Sequence, residues 1–229
     1  MRIFRFFGIL LTASLVVGCA TPAQFNLSYT EPTAKKISNE ITVSENFEKT
    51  WKKLVSEMSK SFYVINNIDK ESNLINLSFS IADNIGDYVD CGNSRRTFSL
   101  KDIRENLSYR VADKSESYTS SPTHRAPPNT TYYRQFRSPK LEGRTNVYVA
   151  PENGKTVVRV NTRYIWTLTN RAQEYMYMPL YNSYNKVGGV ETFPSIDPIS
   201  FNTNTTGNGA DTTCFATGKF ENEILDIVR

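Results

Sequence analysis

Few residues in this chain have side chains that could act as nucleophiles, general bases or metal ligands. The 229 residues include three cysteines, Cys19, Cys91 and Cys214, and a single histidine, His124. His124 lies in a stretch rich in proline and threonine with no second ligand at metal-site spacing, so neither a zinc site nor a Ser-His-Asp triad is indicated. The sequence therefore predicts no catalytic residue, no metal site and no cofactor.

Clustered acidic residues offer the alternative chemistry of glycan hydrolysis. Asp83, Asp87 and Asp90 lie close together along the chain, and two carboxylates can serve as general acid and general base at a glycosidic bond. Their spacing matches no calcium-binding loop, and such runs are common in turns. Thr217-Gly218-Lys219 is followed by phenylalanine, so the phosphate-binding Gly-x-x-x-x-Gly-Lys-Ser/Thr motif is absent. A hydrolase acting on cell-wall glycan is therefore kept as an alternative to a binding function.

The N-terminal residues have the pattern of a secretory signal. Two arginines within the first five residues precede an uncharged, mostly apolar run, which is too short for a transmembrane helix of about 20 residues. The run ends in Val16-Val17-Gly18-Cys19, which resembles the lipobox of bacterial lipoproteins. That resemblance implies that residues 1–18 are removed as a signal peptide and that Cys19 carries fatty acyl chains such as palmitate.

The resemblance to lipoproteins also implies a location. More than one acyl chain makes anchoring stable because each buried CH₂ group contributes roughly 0.8 kcal/mol. In that family a non-acidic residue after the lipidated cysteine goes with transfer to the outer membrane, and Ala20 occupies this position. We therefore expect a protein that is anchored to the cell outer membrane through Cys19 and faces the periplasm.

The other two cysteines form an even pair in an oxidising compartment. We predict a disulfide bond between Cys91 and Cys214, which both lie in strand-like sequence. Closing so long a loop stabilises the fold by at most roughly 4 to 5 kcal/mol. A redox-active pair would need the short Cys-x-x-Cys spacing, which is absent, so a structural role is favoured.

Hydrophobic periodicity predicts how the rest of the chain is organised. Residues 19–36 show no sustained period and are predicted to form a lipidated tether, and residues 37–229 a single domain. A short strand at 41–43 is followed by Ser44 as the expected helix N-cap. Apolar residues then recur every three or four positions from 47 to 62, which predicts an amphipathic helix.

Alternating apolar residues predict the strands. A hairpin is expected at 63–81, and a second turn at 151–154 has Gly154 where a left-handed conformation is needed. A final strand at 213–215 leads into a short amphipathic helix. These elements predict an α+β fold, with a mainly antiparallel sheet, helices packed on one face and a long loop insert.

Two segments do not fit a compact core and are predicted to be loops. Residues 112–144 are rich in Ser, Thr, Pro and Arg and are expected to be a mobile insert, whose arginines and aromatic residues could bind a polyanion or a glycan. Residues 175–209 form the second loop, and tyrosines in loops are typical of recognition surfaces. The predicted partner-binding residues are Tyr175, Tyr177, Tyr181 and Tyr184.

One strand has a basic solvent side. Arg159, Asn161 and Arg163 alternate with apolar residues, and alternate residues of a strand face the same side. Such a row is typical of a solubilising face, although it could also meet an acidic partner.

Charge and a second resemblance indicate a binding protein. A formal net charge of +4 is too small to predict nucleic-acid binding. Residues 38–81 resemble the helix-grip modules of envelope lipoproteins such as BamC, which implies an accessory role without catalysis. We therefore predict a membrane-anchored envelope lipoprotein that acts as a non-catalytic binding or scaffolding component of a cell-envelope or secretion complex, with a protein partner. The alternative is a cell-wall glycan hydrolase or glycan-binding lipoprotein.

Overall fold

Antiparallel strands dominate the fold. A computed structural model describes residues 24–100, 103–120 and 131–229. Of these described residues, 62% lie in strands and 13% in helices or 3₁₀ turns, so the predicted α+β class with a long loop insert is wrong and the fold is β-rich.

The described elements follow one another in this order. The strands are β1 (Gln24–Thr30), β2 (Glu40–Val43), β3 (Val64–Asp69), β4 (Leu74–Ile81), β5 (Val89–Asp90), β6 (Asn93–Leu100), β7 (Ile103–Arg110), β8 (Ser115–Ser120), β9 (Thr131–Glu152), β10 (Lys155–Met178), β11 (Ser183–Asn202), β12 (Gly207–Asn208) and β13 (Thr213–Ala216). The helices are α1 (Phe47–Met58) and α2 (Lys219–Asp226), and single 3₁₀ turns lie at Ile85–Asp87 and Pro179–Tyr181.

Seven of these strands form one large sheet. Its order is β11-β10-β9-β4-β3, with β2 paired to the start of β10 and β8 paired to the start of β9. Two smaller sheets have the orders β1-β6-β7 and β12-β13-β5, and every pairing is antiparallel.

Strand β10 explains why predicted loops are strands. It is 24 residues long and pairs with β9 on one side and β11 on the other. Residues 131–144 and 183–202, which the sequence predicts as loops, therefore satisfy their backbone groups in a ladder, and their Tyr, Thr and Phe side chains suit a pleated surface. The predicted tether is also wrong over Gln24–Thr30, which pairs with β6. Residues 121–130 of the predicted insert lie outside the described residues.

The turn between β9 and β10 fixes their alignment. Asn153 and Gly154 both have positive φ, at 49° and 76°, which confirms the predicted left-handed glycine. A two-residue turn of this kind matches the twist of the strands it joins and sets the register of the hairpin. Glu152 therefore pairs with Lys155, and the same register continues without a shift for 22 residue pairs to Thr131 and Met176.

Replacing Gly154 with alanine tests this turn. Because a side chain in the left-handed region costs roughly 1–2 kcal/mol, we expect the free energy of unfolding to fall by about that amount in urea titrations. A Cβ at Gly154 meets no atom within 4 Å, so the loss would come from the backbone conformation alone. Gly189→Ala is the matched control, because Gly189 is equally open but has no positive φ. Equal stability of the two variants would contradict this account.

The core lies between the inner side of the large sheet and the two helices. Helix α1 is capped by Asn46, whose side chain accepts a hydrogen bond from the amide of Lys49 at 3.0 Å, so the predicted cap at Ser44 is wrong. In α2, Phe220 stacks on Phe79 of β4 with ring centroids 4.2 Å apart. Trp166 of β10 is fully buried in the same cluster. The other core residues include Trp51, Leu54, Met58, Ile75, Leu77, Val147, Val149, Val158, Val160, Tyr164, Ile224 and Leu225.

The predicted cysteine pair is at disulfide distance. The Sγ atoms of Cys91 and Cys214 are 2.05 Å apart, both residues are fully buried, and 123 positions separate them along the chain. Tyr29 of β1 adds a second link at this point, because its hydroxyl donates to the carbonyl of Cys91 and accepts from the amide of Thr213, each at 3.1 Å. The N-terminal strand is therefore tied directly to the disulfide.

Candidate ligand-binding face

The solvent side of the large sheet carries rows of polar side chains that run across the strands. Along β10, Thr162 and Tyr164 point into the core while Arg163 is exposed. Because the β9–β10 turn fixes the register, Arg163 lies directly opposite Arg144 of β9. Ser78 of β4 and Asn202 of β11 extend the same row on its two sides, next to Arg144 and Arg163 respectively. We call these four residues the arginine row.

The two arginines of this row lack an anionic partner in the described part of the chain. No carboxylate there lies within 4.0 Å of either guanidinium, and the Nε atom of Arg163 donates instead to the hydroxyl of Ser200 at 3.1 Å. Nearby basic residues differ, since Arg159 pairs with Glu40 and Lys140 pairs with Glu142. Like charges directly opposite each other are unfavourable in a sheet. The pair is therefore better suited to a bound anion than to packing.

A row of asparagines lies next to the arginine row. Asn76, Asn146 and Asn161 are aligned across β4, β9 and β10, and the amide of Asn76 donates to Oδ1 of Asn146. Asn39 donates to Oδ1 of Asn161 at 2.9 Å. Each amide has both donors and an acceptor, so the asparagine row offers hydrogen-bonding groups of both kinds to a ligand. We call the two rows together the polar face.

Two depressions meet at the arginine pair. One has a volume of about 570 Å³ and is lined by asparagines and threonines from β9, β10 and the turn after β11. The other, of about 690 Å³, includes Phe62, Val64 and Ile165 beside Ser78 and Ser80. Phe62 lies beyond the end of α1 and is 53% exposed. A ligand that spans both depressions would meet amide groups on one side and an aromatic ring on the other.

A buried hydrogen-bond network supports the polar face from below. Thr203 donates to Glu221 of α2 at 2.9 Å and accepts from the amide of Thr162 at 2.8 Å, while Thr162 also accepts from Thr145 at 3.0 Å. Glu221 is fully buried and accepts a second bond from Tyr164 at 2.8 Å. Burial and the adjacent Glu221 raise the pKa of Tyr164 well above its ordinary value. This network holds β9, β10, the β11–β12 turn and α2 in a fixed relation.

Two further arginines are buried where β6 of the β1-β6-β7 sheet meets β8 and β9 of the large sheet. Arg96 donates to Ser117 and Gln135, and Arg137 donates to the carbonyl of Val111 at 3.2 Å, yet the Nε atom of each arginine is buried without a partner. Both guanidiniums lie against the ring of Tyr109. Burial lowers the pKa of Arg137, and the nearby charge of Arg96 lowers it further. Arg96 and Arg137 therefore join the β1-β6-β7 sheet to the large sheet. Neither arginine lines the two depressions described above.

The acidic residues considered for catalysis are engaged in other contacts. Asp87 bonds to Arg110 at 3.0 Å and to Lys219 at 3.3 Å, and these hydrogen bonds lower its pKa. Asp83 pairs with Lys114, and Asp90 accepts from the amide of Gly92. The cluster therefore holds the 3₁₀ turn against β7 and α2, and its carboxylates line neither of the two depressions at the arginine pair.

The four predicted partner-binding tyrosines divide into two groups. Tyr175 and Tyr184 pack on Tyr132, with ring centroids 5.1 Å apart in each case. Tyr177 is partly exposed and its hydroxyl bonds to Asn182, while Tyr181 is 73% exposed at the turn between β10 and β11. Of the four, Tyr181 is the one that lies where a partner could contact it over most of its surface.

Several sequence predictions concern residues that the structure does not describe. The lipobox, Cys19 and His124 lie outside the described residues. Within the part of the chain that is described, no group of three His, Cys, Asp or Glu residues could hold a metal ion, and no helix is long and apolar enough to cross a membrane.

Comparison with known proteins returned no relatives. No family model, curated protein or solved structure matches this chain. The polar face therefore has to be interpreted from its own chemistry.

Sequence analysis missed half of this site. It identified the solvent-side row of Arg159, Asn161 and Arg163, but it placed Arg144 in a loop and Phe62 in a helix. The available signal was the alternation of Leu141, Gly143, Thr145 and Val147 with polar residues, which marks the inner side of β9. Gly143 interrupts this pattern, because it has no apolar side chain to mark an inward-facing position.

Proposed function

We propose that this protein is a lipid-anchored lipoprotein of a bacterial cell envelope that binds an acidic glycan on the polar face. The observation that carries the binding function is the directly opposed pair Arg144 and Arg163, which have no carboxylate partner among the described residues. The anchor is inferred from the lipobox at Cys19. The role is that of a binding component of the envelope without catalysis.

The chemistry around the arginine pair favours a sugar chain as the ligand. Guanidinium groups bind carboxylates and phosphates with two parallel hydrogen bonds. The amides of the asparagine row can both donate to and accept from sugar hydroxyls, and the exposed ring of Phe62 provides an apolar surface for a sugar ring. A carboxylate-bearing or phosphate-bearing glycan uses all three features, whereas a free inorganic anion uses only the first.

Binding is favoured over glycan hydrolysis for a geometric reason. The one carboxylate in the row next to the arginine pair on this face is Glu142, which pairs with Lys140 at 2.8 Å. A glycosidase needs two carboxylates on opposite sides of the scissile bond. The polar face, in the residues described, offers anion and hydroxyl recognition without such a pair.

The double variant Arg144→Ala with Arg163→Ala tests the proposal. Calorimetric titration would use soluble peptidoglycan fragments, which carry carboxylates, phosphorylated oligosaccharides, and neutral N-acetylglucosamine oligomers. We expect one of the two acidic probes to bind, and the double variant to bind it about tenfold or more weakly, because hydrogen bonds to charged groups are among the strongest polar contacts. The two acidic probes distinguish a carboxylate from a phosphate ligand.

Arg159→Ala is the matched control, because Arg159 lies on the same strand and side but is neutralised by Glu40. It should leave the affinity unchanged. The proposal would be wrong if the control lost as much affinity as the double variant, or if the neutral oligomer bound more tightly than the acidic probes. Release of new reducing ends from the peptidoglycan fragments would contradict it as well, because it would indicate hydrolysis.

A further inference from the structure

The turn between β10 and β11 exposes apolar and amphipathic side chains. Residues 177–184 form this hairpin tip, in which Leu180 is 94% exposed and Tyr181 is 73% exposed. Asn182 has a positive φ of 47°, and the hydroxyl of Tyr177 bonds to its side chain, so the turn has a defined conformation. Leucine and tyrosine therefore project from a structured tip.

The residues around the tip have the composition of a membrane interface. From 175 to 190 the chain contains four tyrosines, two methionines and one leucine, with no acidic residue and Lys186 as its one charge. Tyrosine is enriched at the boundary between water and lipid because its ring is apolar and its hydroxyl is polar. Lys186 is exposed on β11, where its charge favours anionic headgroups.

The first described strand starts at the same end of the molecule. Phe25, the second residue of β1, packs in the cluster of Phe98 and Tyr132, which also includes Tyr184. Tyr184 in turn lies 5.4 Å from Tyr177 of the tip, between ring centroids. One continuous aromatic cluster therefore joins the beginning of β1 to the hairpin tip.

The length of chain before β1 limits the distance from the tip to the lipid. Gln24 follows Cys19 by five residues, and a fully extended chain of that length spans at most about 18 Å. A lipid on Cys19 would therefore hold the start of β1, and with it the hairpin tip, close to the bilayer surface.

We infer that the hairpin tip inserts Leu180 and Tyr181 into the lipid surface to which Cys19 is anchored. This inference rests on the proposed lipid anchor. It makes the tip a second membrane contact, and it fixes the orientation of the β-rich domain, so that the anchored end faces lipid and the polar face of the large sheet is presented away from it.

Tryptophan fluorescence in vesicles tests the inference. Leu180→Trp would be made in the full lipidated chain and reconstituted in vesicles of phosphatidylethanolamine and phosphatidylglycerol, with or without bromine on the acyl chains. Bromine quenches tryptophan only at close range, so we expect Trp at position 180 to lose most of its added emission. The parent provides the baseline, because Trp51 and Trp166 are buried.

Phe62→Trp is the matched control, because Phe62 is also exposed but lines the depression beside the polar face. It should keep its emission. If the chain floats with the vesicles and position 180 is quenched no more than position 62, the tip inference is overturned while the anchor stands. A photo-crosslinker at position 181 that joins a protein rather than lipid would also overturn it. If the chain does not float with the vesicles, the lipid anchor fails, and the tip inference fails with it.

Discussion

Replacing Cys91 and Cys214 together with alanine should lower the free energy of unfolding by about 2–5 kcal/mol, the range found when a native disulfide is removed. The bond closes a loop with a separation of 123 residues, so its loss frees a large part of the unfolded chain. Both side chains are fully buried, and alanine avoids placing two hydroxyl groups in the core. Urea unfolding of the variant and the oxidised parent measures the difference.

Two observations separate the disulfide from a simple loss of packing. The slope of unfolding free energy against urea should rise in the variant, because the unfolded chain becomes more expanded and exposes more surface. If the parent is reduced while it is unfolded and is then refolded, its free energy of unfolding should be as low as that of the variant. If the variant unfolds at the same urea concentration as the parent, the disulfide bond does not contribute to the stability of the fold.

A second large effect is expected at Gly143, which lies in β9 beneath the ring of Phe79. A Cβ added at Gly143 would come within 2.1 Å of two ring carbons, a distance that real contacts do not reach. The ring cannot move freely because it stacks on Phe220 at 4.2 Å. Gly143→Ala should therefore cost about 1–3 kcal/mol or more through overpacking, measured as a lower urea midpoint.

Phe79→Ala provides the second half of a double-mutant cycle. Alone it should cost about 3–5 kcal/mol, because it leaves a cavity between β4, β9 and α2. Combined with Gly143→Ala it should cost less than the sum of the two single changes, since the added methyl group then enters space that the ring has left. Additive losses would show that Gly143 is needed for its backbone rather than for the ring above it.

The parts of the fold that the sequence predicted are those set by local chemistry. Asn153 and Gly154 define a turn by themselves, the alternation at 74–81 defines a strand, and Cys91 and Cys214 are the two cysteines of the described residues. Residues 183–202 form a strand because they pair with β10 over most of their length. Local sequence alone could not predict this strand. A tract interrupted by two glycines and two prolines has no periodic signal until its partner strand is known.

The candidate site was half predictable for the same reason. Arg163 could be assigned to the solvent side of a strand from the alternation around it. Its partner Arg144 could not, because directly opposed residues belong to different strands and only the register of the hairpin brings them together. Phe62 shows the opposite error, since it continues the helical period of α1 although the helix ends at Met58.

The unbroken ladder between β9 and β10 has a mechanical consequence. A force that pulls β9 and β10 in opposite directions along their length would load this ladder in shear. The 22 residue pairs of the ladder would then share the load in shear, instead of opening one after another from an end. Tyr29 and the Cys91–Cys214 bond would carry a force applied to β1 into the rest of the β-rich domain.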